Sequence, residues 1–332
     1  MLELKFKEIS EDTREAMKES LFDDEDYYSR AVNCISDMFE CGESYILNSA
    51  NSCLLTVAEA VEEPVLTVDQ GGWNGFVKSC EAFAKKVSKI DTDDGIINID
   101  VLREYFENND VKCLYITSLA GYTARQPLEL IQKLCDEYEV ILILDISASV
   151  GDDSVVGLGD IQVASTGSPK IVNIENGGFL NNITGKLVLN KHLIKTFKAD
   201  KITCAGIYNE LPKACDIHRK TVEMNSYLKD KLCEKLGLED NYVVIHPSAT
   251  GLNTMISAES KKKAKTLAYN IKKRLDINGN VITTGPNYNR IKRASVIVET
   301  KNLDADSISK EKMDNLCDII VEEIGKMKSS NR

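Results

Sequence analysis

The chain has 332 residues, 43% of them hydrophobic, enough for one large core or for a large and a small domain. A formal net charge of −11 argues against nucleic-acid backbones as partners, because they demand clustered Lys and Arg. No apolar run approaches the ~20 residues of a membrane span, and the acidic start MLELKFKEISEDTREAMK lacks the apolar core of a secretory signal, so we expect a cytoplasmic protein.

Taken in chain order, residues 1–40 read as an acidic, helical segment, expected to pack with the small domain. SYILNSA is extended and runs into a helix, NSCLLTVAEAV; PVLTV is strand-like, and GFVKSCEAFAKKVSK has a helical pattern. IDVLREYFENN and PLELIQKLCDEYE are further helices, separated by the β-rich VKCLYITSL. VILILDIS is an unalternating apolar run, which suits a central parallel strand buried on both faces. GDIQVAST reads as another strand, and GFLNNITGKLVLN as strand, turn and strand, with Asn176-Gly177-Gly178 supplying left-handed turn positions before it. This alternation predicts an α/β large domain over 41–195 with a mostly parallel sheet.

Beyond about residue 195 the texture changes to a long helix around HRKTVEMNSYLKDKLCEKLG, then YVVIHPSATGLNTMIS. A basic helix, strands at NVITTG and ASVIVET, and a terminal helix follow, making 196–332 a small α+β domain. Lys261, Lys262, Lys263 and Lys265 read as the solvated side of that basic helix. The ten cysteines show no CxxC or CxxH spacing, so we read them as small buried hydrophobes; a sulfur-handling role for Cys34, Cys41 or Cys204 is the alternative. His192, His218 and His246 form no metal-ligand spacing, and no metal is expected.

The chemistry concentrates between residues 141 and 180. Asp145 ends a buried strand, where a carboxylate is costly unless a cation meets it. Lys170 follows 25 positions later, after a second strand and Ser-Thr-Gly-Ser-Pro. A carboxylate that holds a pyridinium proton and a lysine that holds the aldehyde are what pyridoxal chemistry requires. The two residues alone fit equally a strand-end Asp and a surface Lys.

The surrounding motifs extend the reading. DISASVG (145–151) and GDIQVASTGSPKIVNIENGG (159–178) resemble the core of fold-type I pyridoxal-phosphate enzymes, the aspartate-aminotransferase superfamily. Sugar aminotransferases of the DegT group have a similar Asp-x-Ala-x-x-x-Gly, Gly-Asp, a Ser five residues before the Schiff-base Lys, and Gly-Gly seven after it. Asp145, Gly151, Gly159, Asp160, Ser165, Lys170 and Gly177-Gly178 stand in that register. The resemblance implies Lys170 and Asp145 as catalytic residues and pyridoxal 5′-phosphate as cofactor. It further implies Ser49, Asn51 and Ser52 as phosphate ligands at a helix N-terminus, Ser165 as a further phosphate ligand from the other side, and Trp73 stacked on the ring.

Gly71-Gly72-Trp73 with Lys78-Ser79-Cys80, together with AGIYNELPKA and ITTGPNYNRIKRASVIVET, also resembles an archaeal pyridoxal-phosphate family related to bacterial selenocysteine synthase. Three positions depart from the common pattern: Ala50 stands for a glycine, Ala148 for a His or Gln, and Asn176 for a Glu, with Glu175 beside it. The resemblance implies a C-terminal-domain arginine for the substrate carboxylate, and Arg290 and Arg293 lie in that region. It also implies a homodimer or larger homo-oligomer acting on a small amine or amino acid. Transamination is the first expectation, with β-elimination or replacement, or a catalytically silent cofactor-binding protein, as alternatives.

Overall fold

The computed structural model describes residues 1–237, 241–287 and 290–329. Seven strands form the large sheet: β1 (Ser44–Leu47), β2 (Val65–Val68), β3 (Val87–Ile90), β4 (Cys113–Thr117), β5 (Ile141–Asp145), β6 (Ile161–Ser165) and β7 (Gly178–Asn182). Their order is β1-β7-β6-β5-β4-β2-β3. Neighbours from β6 through β3 pair in parallel, and β7 is antiparallel to both β6 and β1.

The apolar runs are explained by burial on both faces. In β4, Leu114 and Ile116 join a core with Ile35, Phe39, Leu102 and Ile131, whereas Cys113 and Tyr115 turn to Leu54, Val57 and Phe76. The helices around the sheet are α1 (Glu11–Glu19), which packs on α8, α2 (Tyr27–Phe39), α3 (Ala50–Ala60), α4 (Gly75–Ala82), α5 (Ile99–Asn108), α6 (Leu128–Glu137), α7 (Lys191–Thr196) and α8 (Lys201–Glu210). A leucine- or phenylalanine-sized side chain moved from water into these layers contributes about 1.5–3 kcal/mol.

The long helix α9 (Ala214–Leu236) leaves this body and enters a second one. There β8 (Val244–Ile245), β9 (Thr254–Ser257), β10 (Ile282–Gly285) and β11 (Ser295–Val298) form an antiparallel sheet in the order β8-β9-β11-β10. Helices α10 (Lys261–Lys272) and α11 (Lys310–Ser329) complete a core around Leu228, Ile256, Leu267, Val298, Leu316 and Ile320. Lys261, Lys262 and Lys265 are exposed on α10. Among the described residues no helix is long and apolar enough to cross a membrane.

Four local expectations change. The 75–89 helix stops at Ala82, because Ala84 takes a left-handed φ of 57° and the Lys85 amide turns back to the Cys80 carbonyl. The chain then becomes edge strand β3. After β7 the expected second hairpin strand is an irregular segment into α7. The first forty residues divide: Leu2–Glu3 pairs with Leu275–Asp276 of the small domain, while Ala31, Ile35 and Phe39 of α2 belong to the large core. Cys204, Ile207, Leu211 and Ala214 also join the large core, so the transition to the small domain falls within α9 rather than at residue 195.

Candidate active site

The parallel strands end along one edge of the sheet, where an open α/β sheet offers a crevice. A cavity of about 470 Å³ lies there. Residues at or just beyond the C-terminal ends of β1, β2, β4, β5 and β6 line it, as does Gly177 just before the antiparallel β7. Arg290 and Lys301 reach it from the small domain.

Ser49 caps α3, its Oγ accepting from the Ser52 amide at 3.1 Å and lying 2.9 Å from Ser52 Oγ. The first turn of α3 therefore presents amides and hydroxyls beside the positive end of a helix dipole. Gly178 explains how β7 runs beneath this turn: a Cβ there would lie 2.6 Å from the Ala50 amide nitrogen and 2.7 Å from the Ala164 carbonyl. Gly151 (φ 87°) serves the fold elsewhere, since a Cβ would lie 2.5 Å from the Ala214 carbonyl carbon at the start of α9.

Asp145 is buried at the end of β5. Its Oδ1 accepts from the Ser147 amide (2.9 Å) and its Oδ2 from the Tyr115 hydroxyl (3.1 Å). Asp160, from the Gly-Asp motif, is a structural tie: it accepts from the Leu142 amide at 2.9 Å and the Thr184 hydroxyl at 2.8 Å. Ser165 donates its amide to Ser147 Oγ (2.9 Å), which joins the ends of β5 and β6. Trp73 donates its indole N–H to Asn51 Oδ1 at 3.2 Å and lies over Gly75, where a Cβ would lie 2.1 Å from the indole nitrogen.

Lys170 is half-buried, and its Nζ donates to the Tyr122 hydroxyl. Burial favours the neutral amine, but Tyr122 and Asp145 outweigh it and hold Lys170 above the ordinary lysine value, with Arg290 opposing them. Sequence reasoning missed Tyr122. It sits at φ 65° in the turn between two short paired strands, Leu119–Ala120 and Ala124–Arg125. The small domain fixes this turn: the Leu252 and Asn253 amides donate to the Tyr122 carbonyl, and the buried Lys229 amine donates to the Thr123 carbonyl. The only signal in sequence was an aromatic residue after a glycine.

Lys301 was missed as well. It is buried in the turn after β11, with its Nζ 4.8 Å from the Tyr122 ring centre. Burial pushes it down to about 7 against the attraction of Glu299, and Lys170, Arg290 and Lys7 deepen the fall.

The cavity thus brings together Lys170, Asp145, Ser49, Asn51, Trp73, Ser165 and Arg290. Ser52 lines the adjoining pocket with Asn51 and Trp73. Arg293 does not line the cavity; its guanidinium is half-exposed and pairs with Asp94 at 3.0 Å. Arg290 lines it while bound to both Glu299 oxygens at 2.8 Å. Ala148 is in the wall, so a small methyl stands where a ring or amide was the common pattern. Tyr288 and Asn289 of the ITTGPNYNR motif lie outside the described residues. None of the ten cysteines lines the cavity, and burial raises Cys204 to about 12. Among the described residues no His/Cys/Asp/Glu group could hold a metal ion.

Compared with known proteins, residues 215–321 match the model of the MJ1341 family C-terminal domain. Comparison with curated protein sequences finds no match. Solved structures give long alignments. Serine palmitoyltransferase from S. paucimobilis, bound to pyridoxal phosphate and myriocin, superposes with a TM-score of 0.78 at 10% identity, over 97% of this chain and 86% of that one. Helicobacter pylori PseC, an aminotransferase of pseudoaminic acid biosynthesis, gives 0.76 at 14% identity over 97% and 98%. A NifS-like protein from Rickettsia africae gives 0.71 at 12% identity over 99% of both chains. The chain therefore has the aspartate-aminotransferase-like α/β fold of these proteins, with its separate small C-terminal sheet domain.

Proposed function

We propose that the chain is a pyridoxal-phosphate-dependent enzyme acting on an amino-acid-type substrate. The observation that carries this reading is one cavity holding a lysine amine, a buried strand-end carboxylate and a capped helix N-terminus. That donor set fits the cofactor's aldehyde, ring nitrogen and phosphate. The named cofactor and amino-substrate chemistry of the structural neighbours supports it.

Bound pyridoxal phosphate supplies an aldehyde that captures amines and a protonated ring that withdraws electrons from the substrate's α-carbon. Lys170 would hold the cofactor and move the α-proton; Tyr122 would take and return the proton on its amine. Asp145, fixed by Tyr115 and the Ser147 amide, would keep the ring nitrogen protonated. Ser49, Asn51, Ser52 and Ser165 would bind the phosphate, and Trp73 would cover the ring and exclude water.

This machinery is common to transamination and to β-elimination or replacement, and the substrate side selects between them. We take transamination first and propose at least a homodimer. Incubating the cofactor-loaded protein with a panel of amino acids tests the reading. Keto acid released with the β-substituent intact supports transamination, and loss of the β-substituent supports elimination. No spectral change with any amino acid refutes catalysis on this substrate class.

A further inference from the structure

Three cations gather round one aromatic ring in the cavity. Lys170 Nζ and Arg290 Cζ each lie 4.9 Å from the Tyr122 ring centre, and Lys301 Nζ lies 4.8 Å from it. Their balance is uneven. Arg290 is neutralised by both oxygens of Glu299, a carboxylate that also accepts from Asn253 (2.6 Å) and Thr283 (2.7 Å). Lys301 is 3.9 Å from the same carboxylate, too far for a hydrogen bond. Its own acceptors are neutral, Asn302 Oδ1 at 2.7 Å and the Pro169 carbonyl at 3.4 Å. Lys7 adds further positive charge, donating to the Lys170 carbonyl at 3.3 Å. Asp145 stands by the Tyr115 hydroxyl and the Ser147 amide and belongs to the cofactor side.

Among the described residues, the substrate side therefore holds a buried amine that has no hydrogen-bonded anion and shares Glu299 with Arg290. We propose that Lys301, rather than Arg290 or Arg293, receives the carboxylate of the amino-acid substrate, and that the anion enters together with a proton taken up by this amine. This rests on the assignment of Lys170 as the cofactor lysine. Arg290 instead fixes Glu299, and Arg293 is spent on Asp94 outside the cavity. The groups facing Lys301 are Glu299, Arg290, Lys170, Lys7 and the Tyr122 ring; burial pushes the amine down to about 7, and Lys170, Arg290 and Lys7 add to that against Glu299. An arriving carboxylate reverses that balance.

The test is calorimetry of the cofactor-loaded protein at about pH 8 with propionate, a carboxylate that carries no amine. Runs in two buffers of different ionisation enthalpy give the protons exchanged. The wild-type protein should take up a proton with propionate. Lys301→Met, which keeps the length and removes the charge, should weaken propionate roughly 10- to 100-fold, as expected for a lost charge-assisted hydrogen bond. It should also abolish the uptake and leave propylamine binding unchanged. The inference is overturned if propionate does not bind, binds without proton uptake, or binds the variant as tightly as wild type. The wild-type arm stands even where the variant fails to fold. Failure of Lys170 to take up the cofactor refutes the underlying assignment instead, and is seen before any propionate is added.

Discussion

Replacing Glu299 by glutamine removes the carboxylate that holds Arg290 at the edge of the cavity. Both partners are almost wholly buried, with side-chain exposures of 3% for Glu299 and 6% for Arg290, so solvent screens their pairing little. Removing one partner of such a pair leaves the other charge uncompensated and costs about 3–5 kcal/mol. With an unfolding entropy of roughly 2.1 cal/mol/K per residue, that corresponds to a fall in Tm of about 4–7 °C for a chain of this size. Pairing the change with Arg290→Met should recover most of the loss, because the double variant buries no orphaned charge. The sign of the pH dependence follows from the same contacts. Burial pushes Glu299 up, but Arg290 and Lys301 outweigh it and hold the carboxyl below the ordinary glutamate value. Its stabilisation is therefore present above the usual carboxylate range and lost as pH falls through the lowered value, so wild type and variant should converge in acid. Denaturant and thermal unfolding measure both effects. A cost of Glu299→Gln below about 1 kcal/mol would refute the claim that Arg290 is committed to Glu299.

Gly178→Ala should drive a methyl into the Ala50 amide and Ala164 carbonyl, at a cost of about 1–3 kcal/mol in stability, and should weaken cofactor retention on dialysis by shifting the first turn of α3. Unchanged stability and retention would remove the phosphate-turn argument. Lys170 must lose its proton to attack an aldehyde, and its value is raised, so pyridoxal phosphate uptake should quicken as pH rises through the alkaline range. Tyr122→Phe removes part of what raises it and should move that profile to lower pH in stopped-flow absorbance; an unmoved profile contradicts the role given to Tyr122.

Much of the large domain was legible because buried parallel strands leave unalternating apolar runs, as in Ile141–Asp145, and because capped helices announce their starts, as Ser49 does. Edge strand β3 was not, since Val87–Ile90 carries Ser88 and Lys89 exposed and reads as the tail of α4. The proposed cofactor side of the site sits in contiguous motifs around Asp145 and Lys170, and these could be read along the chain. The proposed substrate side is assembled by tertiary contact. Tyr122 enters through a turn clamped by Lys229 and the Leu252 and Asn253 amides, and Lys301 follows strand β11 with no periodicity to mark it. The arginines near residue 290 were visible by composition, but only the fold shows that Glu299 and Asp94 occupy them.

Lys170 is proposed as the amine that takes the cofactor. Two buried amines beside Lys170 compete with it: burial lowers Lys7 to about 8 and Lys301 to about 7, so each holds more unprotonated amine at neutral pH than Lys170 does. Adding pyridoxal phosphate, reducing with borohydride and sequencing the labelled peptide by mass spectrometry separates them. One pyridoxyl group per chain is expected, on Lys170, lost in Lys170→Ala. A label on Lys301 or Lys7, or no label at all, would contradict that assignment.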